Sequence, residues 1–221
     1  MWLFWGWLAV ASADAPDGLR PVMAPWDAPT KWGAYLEQAG RPADPLACSV
    51  WIEDHVRLCL RVREGGRLRW VTAGDLAAWG LTQEAAVDAL RAPSKVKLTA
   101  AETLPVEGMN GRYLRLVDGE GWAAAVALHP AAAARALGPD ARFAFPAGTV
   151  AVAWPAGDKD LDKAMAVGVV ELADEQPGEV SRMVFRWDGE ALVPFAGAAP
   201  STADLPRRST ADKAVPDTSW T

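Results

Sequence analysis

The chain has 221 residues, of which 51% are hydrophobic, a share that is typical of a globular protein and excludes a wholly disordered one. Its 22 basic and 28 acidic side chains give a formal net charge of −6. This acidic balance offers no attraction to phosphate backbones, so we expect no nucleic-acid partner.

The first 13 residues have the pattern of an export signal. The apolar run over residues 2–10 is followed by Ala11-Ser12-Ala13, which fits the A-x-A cleavage motif, although no basic side chain precedes the run. The run is shorter than the roughly 20 residues that a membrane-spanning helix needs. We therefore predict a signal peptide over residues 1–13, an exported protein of the periplasm or the extracellular space, and no transmembrane segment.

Prolines punctuate residues 14–29, where we predict an extended lead without a regular element. A single domain is predicted over residues 30–195. Its first helix is expected to be capped by Thr30, to run over residues 31–39 and to stop at Gly40. Apolar residues at i, i+3 and i+4 give this helix a face that would dock on a sheet; they are Trp32, Tyr35 and Leu36.

Two strands with alternating apolar residues follow, and they contain both cysteines of the chain. If Glu53-Asp54-His55 forms the turn, Val50 faces Leu58 and the apolar faces match. If Glu53-Asp54 alone forms the turn, Cys48 faces Cys59, and the two registers exclude each other because a one-residue slip reverses every side chain. Burial of several aliphatic side chains outweighs one crosslink worth about 2–4 kcal/mol. We therefore expect Cys48 and Cys59 to be free, buried thiols, with a disulfide as the alternative.

A third strand is predicted over residues 67–71, after a three-residue turn at Glu64-Gly65-Gly66. This register places four arginines on the outer face of the ribbon, namely Arg61, Arg63, Arg67 and Arg69. Such a ladder is typical of the wet side of an edge ribbon, which it protects from further pairing. An anion-binding strip is the alternative.

Two capped helices come next. Thr72 and Asp75 have the spacing of a capping box, and Gly80 ends the first helix after Trp79. Thr82 is predicted to cap a second helix over residues 83–91.

Strand patterns then return. Asn110-Gly111 predicts a tight hairpin turn between strands at residues 104–109 and 112–117, and Asp118-Gly119 predicts a reversal into a strand over residues 122–128. Pro130 opens an alanine-rich helix that ends at Gly138. Two more strands are predicted, over residues 142–145 and 149–154.

The clearest helix begins at Asp158, and its buried stripe repeats every three or four residues over Leu161, Met165, Val169 and Leu172. Asp158, Asp160 and Asp162 lie near its N-terminus, where the helix dipole favours carboxylates. These aspartates lack the glycine and the distal glutamate of a calcium loop, so no metal site is predicted.

A closing hairpin is predicted over residues 179–187 and 191–195, with its turn at Asp188-Gly189. Residues 196–221 contain almost nothing apolar to bury and predict a disordered tail. Together the elements predict an α+β fold, with antiparallel β-hairpins forming one or two sheets and helices packed on one side.

Residues 71–82 read VTAGDLAAWGLT and resemble the V-T-x-x-D-L-x-x-W-G-L-[ST] helix pair of the YtpQ-like bacterial proteins, a family of unknown function. The order of strands and helices over roughly residues 48–195 is also similar to that family. The chain departs from it at residues 87–90, where the family tends to carry an asparagine, and in its export signal. The resemblance implies an α+β domain and brings no catalytic residues with it.

The motifs of common catalytic sites are missing from the sequence: G-x-S-x-G, H-E-x-x-H, C-x-x-C and the P-loop. Glu53, Asp54 and His55 would supply a base beside a carboxylate, which is the basis of an alternative hydrolase hypothesis. Residues 119–124 match G-x-G-x-x-A, but Trp122 would crowd a pyrophosphate and Asp140 precedes its strand. We read a hairpin turn there and predict no cofactor.

Trp51 is the candidate ligand-binding residue. It falls on the side of its strand opposite Val50 and Ile52, and indole rings suit partly wet apolar surfaces. We predict a non-enzymatic exported module that binds a protein or another component of the cell envelope. The hydrolase hypothesis is the first alternative, and a dinucleotide binder at residues 119–124 is the second.

Overall fold

The computed structural model describes residues 15–91, 102–105, 111–117, 125–176 and 178–195. The predicted signal peptide of residues 1–13 and the predicted tail of residues 196–221 lie outside these residues. The described strands are β1 (Leu19–Pro25), β2 (Cys48–Ile52), β3 (Val56–Glu64), β4 (Arg67–Trp70), β5 (Glu102–Pro105), β6 (Arg112–Val117), β7 (Arg142–Ala147), β8 (Val150–Trp154), β9 (Val184–Trp187) and β10 (Leu192–Pro194). The described helices are α1 (Ala28–Gln38), α2 (Ala73–Trp79), α3 (Gln83–Arg91), α4 (Ala125–Leu128), α5 (Pro130–Leu137) and α6 (Lys159–Glu175).

The predicted α+β class is confirmed, because the strands form two antiparallel sheets with helices packed against them. Strand β3 is the centre of the first sheet and pairs with β1 along one edge. Strands β2 and β4 share its other edge end to end. The N–H of Leu60 donates to the carbonyl of Ala47 just before β2, and the carbonyl of Leu60 accepts from Val71 just after β4.

The second sheet has the strand order β10-β9-β7-β8-β6-β5. Every residue of β7 and β8 is buried, as expected for central strands covered on both faces. Helix α6 covers one face, where Met165 and Val169 pack on Val152 and Trp154.

The inner faces of the two sheets share one core. Leu58 and Leu60 from β3 belong to the same buried cluster as Phe143, Phe145 and Phe185 from the second sheet. Buried residues of α2, α3, α4 and α5 join this cluster. Helix α1 covers the outer face of the first sheet, where Trp32 and Leu36 pack beside Trp70 and Cys48. The apolar face predicted for this helix therefore docks on a sheet as expected.

The prediction of an irregular lead over residues 14–29 is wrong, because β1 lies there. Arg63 donates its N–H to the carbonyl of Gly18, and hydrogen-bonded pairs alternate along an antiparallel ladder. Pro21 and Pro25 lie an odd number of positions further on, so their nitrogens face away from β3. Proline is tolerated at such positions of an edge strand because no ladder hydrogen bond is lost.

Helix α1 also begins earlier than predicted, at Ala28 rather than after Thr30. Pro29 occupies the first turn, where the missing N–H of proline has no acceptor in any case. The predicted stop is confirmed. Gly40 has a positive φ of 62°, and Arg41 donates to the carbonyl of Leu36 across it.

The predicted arginine ladder is wrong, because the pairing of β3 with β4 differs from the predicted register by one residue. Gly65 and Gly66 both have positive φ and form a two-residue turn, so Glu64 pairs with Arg67. Arg61 then lies opposite Trp70, and its guanidinium stacks 5.2 Å from the centre of the indole. Arg69 lies opposite Val62 on the other face, where it forms ion pairs with Glu64 and Asp75. The four arginines are thus divided between the two faces.

One turn and one strand predicted further along are also wrong, whereas the reversal predicted at Asp118-Gly119 lies outside the described residues. A two-residue turn at Asn110-Gly111 would place Met109 opposite Arg112, whereas Pro105 lies there. Pro105 and Met109 are four residues apart, which is an even number. The side chains of both strands therefore lie on the faces expected from the predicted pairing, although more than two residues connect the strands. Residues 125–128 form helix α4 instead of the end of a strand, because a short apolar run does not by itself distinguish the two.

The capped helices agree with the sequence. Thr72 and Asp75 form the predicted capping box, and Gly80 ends α2 in the left-handed conformation. The hydroxyl oxygen of Thr82 accepts from the N–H of Ala85 at the start of α3. Asp158 accepts from the N–H groups of Asp160 and Leu161 at the start of α6.

A buried polar cluster joins α6 to the second sheet. The indole N–H of Trp154 donates to Asp162 at 2.8 Å, and the guanidinium of Arg142 lies 3.6 Å from the same carboxylate. Asp162 and Arg142 expose 6% and 8% of their surface. Because both charges are out of water, each depends on the other for compensation.

We predict that Asp162→Ala lowers the free energy of unfolding by about 3 kcal/mol, since it leaves the buried guanidinium of Arg142 without its opposite charge and the buried indole N–H of Trp154 without its acceptor. Asp160→Ala, in the exposed first turn of the same helix, should cost less than about 1 kcal/mol. Urea unfolding of both variants measures the difference. Equal losses would contradict a special role for Asp162.

Candidate functional site

A β-bulge at Trp51 is the starting point of the candidate site. Next to the turn, Ile52 pairs with Val56, as in the register that buries the aliphatic side chains. Further from the turn, Val50 pairs with Arg57 and Cys48 pairs with Cys59, as in the register that brings the two cysteines together. Trp51 is the extra residue between them. The expectation that the two registers exclude each other is wrong, because the slip occurs inside β2 rather than at the turn.

Cys48 and Cys59 form a disulfide, so the prediction of two free thiols is also wrong. The ladder explains how they meet. The N–H of Leu60 bonds the carbonyl of Ala47, which makes the next pair along, Cys48 and Cys59, a non-hydrogen-bonded pair. Side chains are closest at such pairs. Cys59 is fully buried, in a small cluster with Val22, Ala24 and Ala28.

The bulge turns Trp51 toward an open cleft of about 590 Å³. Four separate segments supply its walls: Val50 and Trp51 of β2, Arg91 at the end of α3, residues 127–132 and 135 of α4 and α5, and residues 187 and 190–192 of the last hairpin. Trp51 thus lines a cleft, and its role in ligand binding stays a prediction. Bulges are common beside binding sites because they re-aim a side chain in this way.

The cleft is apolar at its base. Ala127, Leu128 and Leu192 are buried there, and the indoles of Trp51 and Trp187 are partly buried against the core. Val50 is 51% exposed at the rim and is the one large hydrophobic side chain that is exposed among the residues described. Partly wet aromatic walls beside an exposed aliphatic side chain are typical of a binding surface.

Charged groups lie around this apolar base. The guanidinium of Arg91 lies 5.5 Å from the centre of the Trp51 ring, and it also forms an exposed ion pair of 3.3 Å with Asp88. Arg135 and Glu190 complete the charged lining, and both are exposed.

His129 lies where α4 meets α5. It occupies the N-cap position of α5 without capping it through its side chain. Its Nε2 atom is buried and has no hydrogen-bond partner in the described protein. Burial lowers the pKa of His129 below 6.5, and the positive charge of Arg91 lowers it further. The imidazole is therefore neutral at pH 7, so the fixed positive charges of the cleft are its two arginines.

The residues of the hydrolase hypothesis form a turn and do not assemble a catalytic group. Glu53 and Asp54 are exposed, and Asp54 has a positive φ of 62°. His55 packs edge-on against Phe185, with 5.9 Å between ring centres. Within the part of the chain that the structure describes, no hydrogen bond or ion pair joins His55 to either carboxylate.

Neither the aspartates of α6 nor the G-x-G-x-x-A motif adds a second candidate site. Asp158 caps α6 and Asp162 bonds Trp154, so two of the three aspartates already serve the fold. Over residues 15–91 and the other described ranges, no cluster of potential metal ligands is found. The G-x-G-x-x-A motif of residues 119–124 lies outside the described residues.

Sequence reasoning missed most of this cleft. It assigned no binding role to His129, and it did not single out Arg91, Arg135 or Trp187. These residues come from segments far apart in the chain, and no local spacing connects them. The only signal was the Trp51 side chain, which alternation placed away from the core.

A second cleft, of about 580 Å³, lies beside α1. Its indole, Trp32, is only 7% exposed and donates to the carbonyl of Asp44 at 2.8 Å. This ring is therefore already used inside the fold, and the Trp51 cleft is the better candidate.

No family model matches the chain, and neither a curated protein nor a solved structure is found to be similar to it. The resemblance of residues 71–82 to the YtpQ-like proteins therefore stays a prediction. Among the helices within the described ranges, none has both the length and the apolar character needed to cross a bilayer.

We predict that replacing both cysteines by serine lowers the free energy of unfolding by about 3 kcal/mol, the chain-entropy value for a crosslink of this span, given the separation of 11 residues between Cys48 and Cys59. Urea unfolding of the oxidised, reduced and double-serine proteins measures the effect. The reduced protein and the variant should agree. If the variant is as stable as the oxidised protein, the crosslink does not support the fold.

We also predict that the stability falls as the solution is acidified below pH 6.5, partly through His129. Because the folded protein holds the pKa of His129 low, the unfolded chain takes up the proton first, and unfolding is favoured below the ordinary pKa of 6.5. The difference between the free energies of unfolding at pH 7.5 and pH 5.5 should be smaller in His129→Gln than in the wild type. An unchanged difference would show that the imidazole is not shielded from protons.

Proposed function

We propose that the chain is an exported, non-enzymatic binding module of the cell envelope, and that it binds its ligand in the cleft around Trp51. The cleft itself is the observation that carries this proposal. Its volume of about 590 Å³ lies within the roughly 300–1,000 Å³ that is usual for ligand pockets. It combines an apolar base with a few polar groups at the rim, which is the usual composition of such pockets.

The disulfide supports the exported location. Disulfides persist in oxidising compartments and are rare in the cytosol, where thiols are kept reduced. The link between Cys48 and Cys59 is built into the centre of the first sheet, so it belongs to the fold and not to an exposed redox pair. An oxidising compartment agrees with the export signal predicted for residues 1–13.

The geometry favours binding over catalysis. The turn of Glu53, Asp54 and His55 brings no base and carboxylate together within the described residues. In the Trp51 cleft the one imidazole among the described lining residues belongs to His129, whose Nε2 atom is buried and makes no hydrogen bond. A ring nitrogen that a substrate cannot reach is unsuitable as a general base.

The location is tested by isolating the native protein from its source cells. We expect it in the envelope or extracellular fraction, with a mass that lacks residues 1–13 and with both cysteines unreactive to an alkylating reagent until a reductant is added. Recovery of the protein from the cytosol with Met1 attached and both thiols free would contradict the proposal.

The binding role is tested by affinity capture from the same envelope fraction with the full mature chain as bait. We predict that Trp51→Ala lowers the recovery of the specifically enriched component at least tenfold. Trp26→Ala is a matched control, because Trp26 is also half-buried and stacked by an arginine, with Arg57 4.1 Å from its ring centre, and does not line the cleft. Equal recovery with both variants would remove Trp51 from the binding site.

A further inference from the structure

More positive than negative groups line the Trp51 cleft, although the whole protein is acidic. The chain carries a formal net charge of −6. Among the residues that line the cleft, the ionised groups are Arg91, Arg135 and Glu190, and His129 is neutral at pH 7. Asp88 does not line the cleft, but its exposed ion pair with Arg91 offsets part of the positive charge until an anion competes for that guanidinium.

The position of Arg91 is suited to an incoming anion. Its guanidinium lies within cation–π distance of the Trp51 ring, at 5.5 Å from the ring centre, and this contact reduces the rotamer freedom that binding would otherwise remove. Its ion pair with Asp88 is exposed on both sides, with 46% and 68% of the two side chains accessible. Such a pair is worth at most about 1 kcal/mol and occupies only some of the five N–H donors of the guanidinium.

The first turn of helix α5 adds one donor in the same place. Ala131 and Ala132 line the cleft there, and the N-cap residue makes no side-chain hydrogen bond to them. Pro130 has no N–H, and the N–H of Ala132 donates to the carbonyl of His129 at 2.9 Å. The N–H of Ala131 therefore remains as the first-turn donor at the cleft, beside the positive end of the helix dipole, and it reinforces the field of the two arginines.

The apolar part of the lining defines the other half of the ligand. Trp51 and Trp187 offer aromatic faces, and Val50 extends the apolar rim outward. Aromatic walls of this kind hold a planar or compact apolar group by stacking and by excluding water. The arginines lie on the same cleft, so the charged and the apolar groups of the ligand must be close together.

Given the proposed binding function, on which this inference rests, we infer that the ligand class of the cleft is a small amphiphilic anion: a carboxylate or phosphate attached to a planar or compact apolar group. The oxyanion bonds Arg91 and Arg135, and the apolar group packs between Trp51 and Trp187.

The test uses four probes that share a phenyl group and differ in charge: 3-phenylpropionate, 2-phenylethyl phosphate, neutral 3-phenylpropionamide and cationic 3-phenylpropylamine. The full mature chain is titrated with each one, and affinity is measured by calorimetry. The indole N–H resonance of Trp51, assigned by its loss in Trp51→Phe, reports where each probe binds. We expect at least one anion to bind at least tenfold more tightly than the amide, and the amine to bind most weakly. The tighter of the two anions distinguishes a carboxylate source from a phosphate source.

Arginine variants separate a specific contact from the general field. Arg91→Gln and Arg135→Gln should each weaken anion binding about tenfold and leave amide binding unchanged. Arg186→Gln is the control, because it removes the same charge at a position outside the cleft, where Arg186 lies 3.7 Å from Asp140. A loss of anion affinity as large in Arg186→Gln would overturn the assignment of the two arginines.

The outcomes also distinguish the two proposals. If the amide or the amine binds at Trp51 as tightly as the anions, the cleft binds ligands but the anionic class is wrong. If no probe perturbs the Trp51 resonance, both the ligand class and the cleft as a binding site are overturned.

Discussion

Two constraints on β2 are out of phase by one residue, and the extra residue between them is Trp51. Near the turn, burial of Ile52 and Val56 in the shared core sets the pairing. At the other end, a covalent bond holds Cys48 against Cys59. A regular strand would satisfy only one of these pairings, because a one-residue slip reverses every side chain. The bulge satisfies both, and the side chain that it displaces lines the candidate cleft.

The shape of the cleft depends on this arrangement. Its walls come from β2, from α3, from the junction of α4 and α5, and from the last hairpin. Trp51 and Trp187 both pack against the common core as well as lining the cleft. Their rings are therefore held by residues that the fold needs in any case, and the cleft is largely formed before a ligand arrives. A site prepared in this way loses little conformational entropy on binding.

The parts of the fold that were predicted correctly depend on short-range physics. The capping box at Thr72, the positive φ at Gly80 and the apolar stripe of α6 all involve residues within one or two turns of each other. The register of strands was harder, since it depends on turn geometry. Two consecutive glycines with positive φ shortened one turn by a residue and divided the arginines between two faces. Strand β1 was missed because its prolines were taken to exclude a strand. Proline does so only where its nitrogen faces a neighbouring strand, and the sequence does not show which way each nitrogen points.

The candidate site was predictable only in part, for a related reason. Alternation along β2 directed attention to Trp51, but the bulge breaks that alternation, so that Trp51 lines the same cleft as Val50 instead of the opposite face. Arg91, His129 and Trp187 line the same cleft only because tertiary packing brings their segments together. No motif or spacing in the sequence around them predicts that they are neighbours. The prediction of free thiols was wrong because it set the disulfide against aliphatic burial on the assumption of a strand without a bulge.

Strand β3 pairs with three partners, and the chain lengths that separate them differ widely. Two residues connect it to β4 and three connect it to β2, whereas β1 ends 30 residues before β3 begins. The entropy lost on closing a loop grows with its length, so the two neighbouring hairpins close at least cost and β1 must be recruited afterwards. Cys59 is therefore still uncovered on the β1 side while β2 finds its place, and an oxidant has access to both sulfurs during that interval. Once Val22 and Ala24 cover Cys59, its sulfur is buried, and a reductant can approach the bond only from the half-buried Cys48.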